Sequence, residues 1–278
     1  MSFWREFQFY PRVVPQPVRP PEAPVWVIAH RGASREAPEN TLAAFALAIN
    51  QGADMLELDL RLSRDQELMV FHDRSLKRTT GQDGLLQHYT RAELKQCDAG
   101  SWFSPQFAGE EIPTLAEVLE LARGQVMLNL EIKADALFRS EALLEKKLIR
   151  LLHDYDLCER VLISSFAPLA LSRIKALAPN LSTALLYGSS IRSTLRSRLP
   201  VYHLQAFRQV LEIQADALNL RYPLVTAATV RRSRETRINL YPYTIDSPKI
   251  QKRLIKWGVQ GIITNQPARL RHLLRRQL

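Results

Sequence analysis

The chain has 278 residues, 46% of them hydrophobic and 24% charged, with a net charge of +10; this is too apolar for a disordered chain and near the usual length of an α/β barrel. Two cysteines, Cys97 and Cys158, are too few for a disulfide framework and lack zinc-site spacing, so a reducing compartment is expected. No apolar run reaches the ~20 residues of a membrane-spanning helix, and the first residues lack a basic stretch leading into an apolar core, so a cytoplasmic protein is expected.

Residues 1–24 hold six prolines, which forbid regular helix or sheet through most of this extension. Its aromatic start, Phe3, Trp4, Phe7, Phe9 and Tyr10, is expected to pack on the domain formed by residues 25–278. From there strands and helices alternate, the pattern of a parallel sheet covered by helices. Strands are expected at Val25–His30, Met55–Leu60, Leu68–His72, Val126–Ile132, Val161–Ser165, Ser182–Tyr187, Ala217–Tyr222, Asn239–Thr244 and Gly261–Thr264. Helices are expected at Asn40–Gln51, opened by Pro38-Glu39-Asn40, and at Thr114–Ala122, Glu141–Tyr155, Pro168–Leu177, Arg208–Ile213 and Lys249–Trp257. The stretch from Ser189 to Pro200 reads as a loop or short helix at the barrel mouth. Nine strands are one more than an eight-stranded barrel needs. The link from Asp59 to His72 is too short for a helical crossover. Leu68–His72 is therefore expected to return antiparallel from a turn near Arg64-Asp65, pairing positions whose numbers sum to about 129 and setting His72 beside Glu57.

The chemistry-bearing residues lie at the ends of these apolar runs: His30 and Arg31, Glu57 and Asp59, His72, Glu131 and Lys133. Side chains alternate along a strand, so Glu57 and Asp59 share a face, as do Glu131 and Lys133. In a parallel barrel the C-terminal strand ends carry the active site. Three carboxylates converging there would repel one another without a cation between them, and an all-oxygen set favours Mg²⁺ or Ca²⁺ over zinc. Arg31 and Lys133 add positive charge suited to an anionic phosphate diester, while His30 and His72 can act as general acid and base near neutral pH. Each residue alone is more often a structural ion pair or a solvated face. Charges turned into a barrel interior, however, are costly without partners or a metal.

The blocks HRGASREAPENTLAAFALAINQGADMLELDLRLSRDQELMVFHD (residues 30 to 73), LKRTTGQDG, SWFSPQFAGEEIPTLAEVL, LNLEIK, ISSF and GIITNQP resemble, in this order, the glycerophosphodiester phosphodiesterases. The resemblance covers roughly residues 25 to 270. It implies a TIM-type (β/α)8 barrel with a small insertion after the third motif strand, about Arg74 to Glu111. It further implies that Glu57, Asp59 and Glu131 hold one divalent cation, that His30 and His72 are the catalytic pair, and that Arg31 and Lys133 contact the substrate phosphate. The implied reaction is metal-dependent hydrolysis of a glycerophosphodiester to an alcohol and sn-glycerol 3-phosphate. Two departures stand out: the family's Trp-Thr pair is Tyr243-Thr244, and a common Asp-Gly turn is Asp65-Gln66. The first bears on the shape of the substrate pocket, not on the reaction.

Two other functions stay open on the sequence: lysophospholipase D-type cleavage of lysophospholipids, and a catalytically silent binding protein on the same scaffold. From Arg231 to Leu278 twelve basic residues face two acids. Leu270, Leu273, Leu274 and Leu278 form a stripe that fits docking on the barrel wall, with weak contact to an anionic membrane as an alternative. No base-reading motif is present, so nucleic acid is not an expected partner. Walker, dinucleotide and G-x-S-x-G patterns are likewise absent.

Overall fold

The strands are apolar on one side because helices cover that side. The computed structural model describes residues 25–133, 142–188 and 201–276. Its strands are β1 (Trp26–His30), β2 (Met55–Leu62), β3 (Leu68–Val70), β4 (Met127–Ile132), β5 (Val161–Ser165), β6 (Ser182–Tyr187), β7 (Ala217–Arg221), β8 (Asn239–Tyr243) and β9 (Gly261–Thr264). All but β3 pair in parallel, in the order β8-β7-β6-β5-β4-β2-β1-β9. The two ends approach each other, where Ile245 N–H donates to the Ile263 carbonyl at 2.9 Å. The result is a nearly closed barrel of eight parallel strands with helices between them, the expected TIM-type architecture. Outward residues such as Val27, Leu58, Leu130 and Leu218 are fully buried against the helices, each contributing about 1.5–3 kcal/mol. Inside, Trp26, Ile28, Met55, Met127, Leu162 and Tyr241 form a separate cluster, leaving the polar residues at the strands' C-terminal ends.

Register brings the motif residues together. His30 lies opposite Glu57 across β1 and β2, and Asp59 opposite Glu131 across β2 and β4. β3 does return antiparallel to β2, with the turn at Ser63–Glu67, but the register differs by one from the expectation. Leu60 pairs Val70, so paired numbers sum to 130, and the ladder ends before His72. His72 is therefore not paired with Glu57. A one-residue slip would turn Leu68 and Val70 from the main core toward the small cluster that takes Met69, so which core each side chain joins sets the register. In the turn, Gln66 takes φ +65°, a conformation glycine adopts more easily, which is how Asp65-Gln66 replaces Asp-Gly.

The helices are α1 (Leu42–Asn50), the single turns α2 (Lys77–Thr80) and α3 (Arg91–Leu94), then α4 (Leu115–Ala122), α5 (Leu143–Asp154) and α6 (Pro168–Leu177). After these come α7 (Val201–Glu212), α8 (Ala227–Thr236), α9 (Pro248–Trp257) and α10 (Pro267–Arg275). α1 begins later than expected, because Thr41 is its cap and accepts from Ala44 N–H, while Asn40 sits at φ +59° with its side chain elsewhere. α7 is longer than the expected Arg208–Ile213, and α8 was not expected. Between β3 and α4 a small third cluster forms around Met69, Leu76, Leu86, Leu94 and Ile112. On α10, Leu270 and Leu274 are buried against the barrel and Leu273 packs at the margin. Among the described residues no helix is long and apolar enough to cross a membrane. The expectations for the aromatic start, for Ser189–Pro200, for Glu141 and for Leu278 lie outside the described residues.

Candidate active site

β1 delivers His30 as its last residue, and the chain then turns sharply: Arg31 has φ +56° and Gly32 φ +84°. A Cβ on Gly32 would lie 2.6 Å from the Ala44 backbone carbon, so only glycine lets α1 come this close. The turn points the Arg31 N–H at Glu57 Oε2 (3.0 Å) and the Arg31 guanidinium at Glu39 (2.8 Å) and Asp59 Oδ2 (3.2 Å). β2 supplies Glu57 and Asp59 on one face, as the spacing predicts, and β4 supplies Glu131, with Lys133 just beyond its end. The three carboxylates are buried, and each offers an oxygen within 4.8 Å of the others. Lys133 Nζ stands 2.6 Å from Asp59 Oδ1 and 2.6 Å from Glu131 Oε1. Asn40 Nδ2 donates to Asp59 Oδ2 at 2.7 Å.

This arrangement splits the carboxyls electrostatically. Burial alone would raise Asp59, but the Lys133 ammonium and the Arg31 guanidinium outweigh it and hold Asp59 well below the usual carboxylate range. Glu57 goes the other way, raised well above its ordinary value by burial and by the charges of Asp59 and Glu131. Glu131 is pushed up to about 7, because burial, helped by Asp59, outweighs the adjacent Lys133. Two arginine and lysine charges thus do not compensate three buried carboxylates, and the all-oxygen donor set suits a hard divalent cation.

The histidines flank the cluster. His30 Nε2 is 4.0 Å from Glu57 Oε2, and its Nδ1 is 2.7 Å from Asn265 Oδ1. Burial and the neighbouring Arg31 push the His30 pKa down to about 4. His72 lies two residues past β3, its Nδ1 2.5 Å from Asp73. Its pKa is lowered by burial, against the pull of Asp59 and with help from Lys133 and Arg31. Arg78, on α2, binds Asp73 at 2.5 Å and Glu39 at 2.6 Å, so one guanidinium braces the partners of both His72 and Arg31.

A cavity of about 350 Å³ opens over these groups, lined by His30, Arg31, Glu57, His72, Glu131 and Lys133 on one side. Phe166, Arg221, Tyr243 and Thr244 line the other. All the sequence-derived residues except the deeper Asp59 therefore meet one space. Tyr243, the family departure, is a cavity wall: its hydroxyl donates to the Tyr187 carbonyl at 3.0 Å and its ring meets Phe166 edge-on. Ser164 and Ser165 do not line the cavity; Ser165 instead donates to the Ile132 carbonyl at 2.7 Å. Glu39, Asn40, Asp73, Arg78, Asp246 and Asn265 were not singled out from sequence. Glu39 and Asn40 read there as a helix-start signal, Asp73 meets its near neighbours His72 and Arg78, and Arg78, Asp246 and Asn265 find partners far away in the chain.

The sequence matches the model of the glycerophosphoryl diester phosphodiesterase family over residues 30–269. A glycerophosphodiester phosphodiesterase of Caldanaerobacter subterraneus subsp. tengcongensis is 38% identical over 251 residues, covering 90% of this chain and 98% of that one. A second, from Bacillus subtilis, is 32% identical, with 87% and 84% covered. Among solved structures, an Oleispira antarctica phosphodiesterase in complex with the product sn-glycerol-3-phosphate superposes with a TM-score of 0.78 at 30% identity, covering 90% of this chain and 96% of that one.

Proposed function

The chain belongs to the glycerophosphoryl diester phosphodiesterase family, and from that premise we propose that it hydrolyses glycerophosphodiesters to an alcohol and sn-glycerol 3-phosphate, using one divalent cation, Mg²⁺ or Ca²⁺, and two histidines. The observation that carries this reading is the convergence of His30, His72, Glu57, Glu131, Arg31 and Lys133 on one cavity, with Asp59 beneath them. Glu57, Asp59 and Glu131 would hold the cation, which supplies Lewis-acid polarisation of the phosphoryl group and charge neutralisation.

The side chains do the rest. Arg31 and Lys133 line the cavity as cations and attract the diester's negative charge. Both are braced by carboxylates, which fixes their positions before substrate arrives. One histidine takes a proton from the attacking oxygen while the other gives one to the leaving alcohol. Their settings differ, since His30 leans on a neutral amide and His72 on a carboxylate.

Cation binding competes with protons at Glu57 and Glu131, whose pKa values lie above the ordinary range. Groups raised in the folded state add stability at low pH, and that contribution is lost as pH rises through about 7 for Glu131. A cation bound only to the folded form reverses the loss, by about 2.7 kcal/mol at a hundredfold excess over Kd. Thermal melts should therefore show a larger stabilisation by Mg²⁺ or Ca²⁺ at pH 8 than at pH 6. A larger effect at pH 6 would contradict the assignment of these carboxylates.

The substrate class is tested by product analysis with glycerophosphodiesters of different alcohols and with lysophospholipids in parallel. Release of sn-glycerol 3-phosphate from the first group supports the reading. Cleavage of lysophospholipids alone would move the activity to the lysophospholipase D type, and no cleavage of either would favour a silent binding protein.

A further inference from the structure

Asn265 follows directly on β9, and its amide is held from two sides. Its Nδ2 lies 2.8 Å from Asp246 Oδ2, and its backbone N–H donates to Asp246 Oδ1 at 2.9 Å. Thr264 Oγ1 donates to the same Oδ1 at 2.8 Å, so Asp246 is itself pinned in the turn after β8. A carboxylate offers only lone pairs, so the amide atom facing Asp246 must be the NH₂ group. The other amide atom is then the carbonyl oxygen, and it lies 2.7 Å from His30 Nδ1 and 2.9 Å from Ser34 Oγ. A carbonyl oxygen cannot donate. The ring nitrogen it faces must carry the proton.

We infer that Asn265, oriented by Asp246, is a positioning residue that fixes the His30 tautomer with the proton on Nδ1 and the Nε2 lone pair turned toward Glu57. The inference rests on the phosphodiesterase reading above for its role in the reaction, and on geometry alone for the tautomer. With Nδ1 occupied, the ring meets a reacting proton only through Nε2, the nitrogen 4.0 Å from Glu57. The ring plane is set by the same contact, since Asn265 is fixed by Asp246, which lies 19 residues back in the chain. Ser34 can share its hydroxyl proton between the His30 carbonyl at 2.7 Å and Asn265 Oδ1, and both choices leave Oδ1 an acceptor.

The test is nitrogen-15 NMR of the full-length protein labelled at histidine, alongside kinetics of the Asn265→Ala and Asp246→Asn variants. In the unmodified protein at neutral pH, His30 is expected to show a protonated Nδ1 and a bare Nε2. Asn265→Ala should lose the Nδ1–H signature and lower kcat about 10- to 100-fold with KM within about twofold. Asp246→Asn, which frees the amide to rotate, should move both readouts in the same direction. A wild-type His30 protonated on Nε2, or an Asn265→Ala variant that keeps both the Nδ1–H signature and the wild-type kcat, would overturn the inference. If Asn265→Ala does not fold, Asp246→Asn and the wild-type spectrum decide it. A wild-type protein with the Nδ1–H tautomer but no phosphodiesterase activity would overturn the reaction and leave the tautomer standing.

Discussion

His30→Ala should lower kcat by about 10²- to 10⁴-fold while leaving the barrel folded. The ring sits at the end of β1 with a fifth of its side chain exposed, and its Nδ1 is hydrogen-bonded to Asn265. Its loss removes little apolar packing, so the melting temperature should move by no more than a few degrees. KM should change little, because the proposed diester contacts, Arg31 and Lys133, still line the cavity. The double variant His30→Ala, His72→Ala should cost less than the product of the two single losses, as expected when two groups act as a unit in one displacement. A His30→Ala enzyme with an unchanged rate would remove the imidazole from the mechanism.

Asp59→Asn should damage both stability and activity. Asp59 is fully buried and stands 2.6 Å from Lys133 Nζ and 3.2 Å from Arg31 Nε. An amide in its place leaves the buried Lys133 ammonium and the adjacent Arg31 guanidinium short of an anion, and breaking a buried ion pair from one side costs about 3–5 kcal/mol. Urea unfolding in chelator should show this as a lower midpoint with an unchanged slope. Adding Lys133→Met should recover part of the loss, since removing both partners of a buried pair costs less than removing one. Turnover should fall on the order of 10²- to 10³-fold, and added cation should no longer raise the melting temperature as it does in the unmodified protein. A variant of wild-type stability that still gains from cation would show that Asp59 neither neutralises Lys133 nor binds metal.

Much of this molecule is legible in its sequence, for physical reasons that also mark where legibility stops. Runs such as VWVIAH and MLELDL declare themselves because both faces of a barrel strand are buried and the polar residues cluster at one end. The hairpin between β2 and β3 follows from chain length, yet its register is one residue from the expectation. That register depends on which side chains the small cluster around Met69 and Leu76 buries, and turn position alone does not set it. α8 reads as a charge run because it buries only Thr229, Val230 and Ser233 and leaves Arg231 and Arg234 exposed. Asn40 reads as a cap, and the true cap is Thr41, which leaves Asn40 free to hold Asp59. The supports of the site are the least legible. Asn265 meets His30 across 235 residues, and Arg78 meets Glu39 across 39. No local spacing encodes such a contact.

The most direct measurement is release of sn-glycerol 3-phosphate by protein stripped of metal with EDTA, before and after adding back Mg²⁺ or Ca²⁺. The account predicts no release from the stripped protein and recovery on adding one of the two cations, with Asp59→Asn failing to recover. Equal turnover with and without chelator would contradict a cation held by Glu57, Asp59 and Glu131.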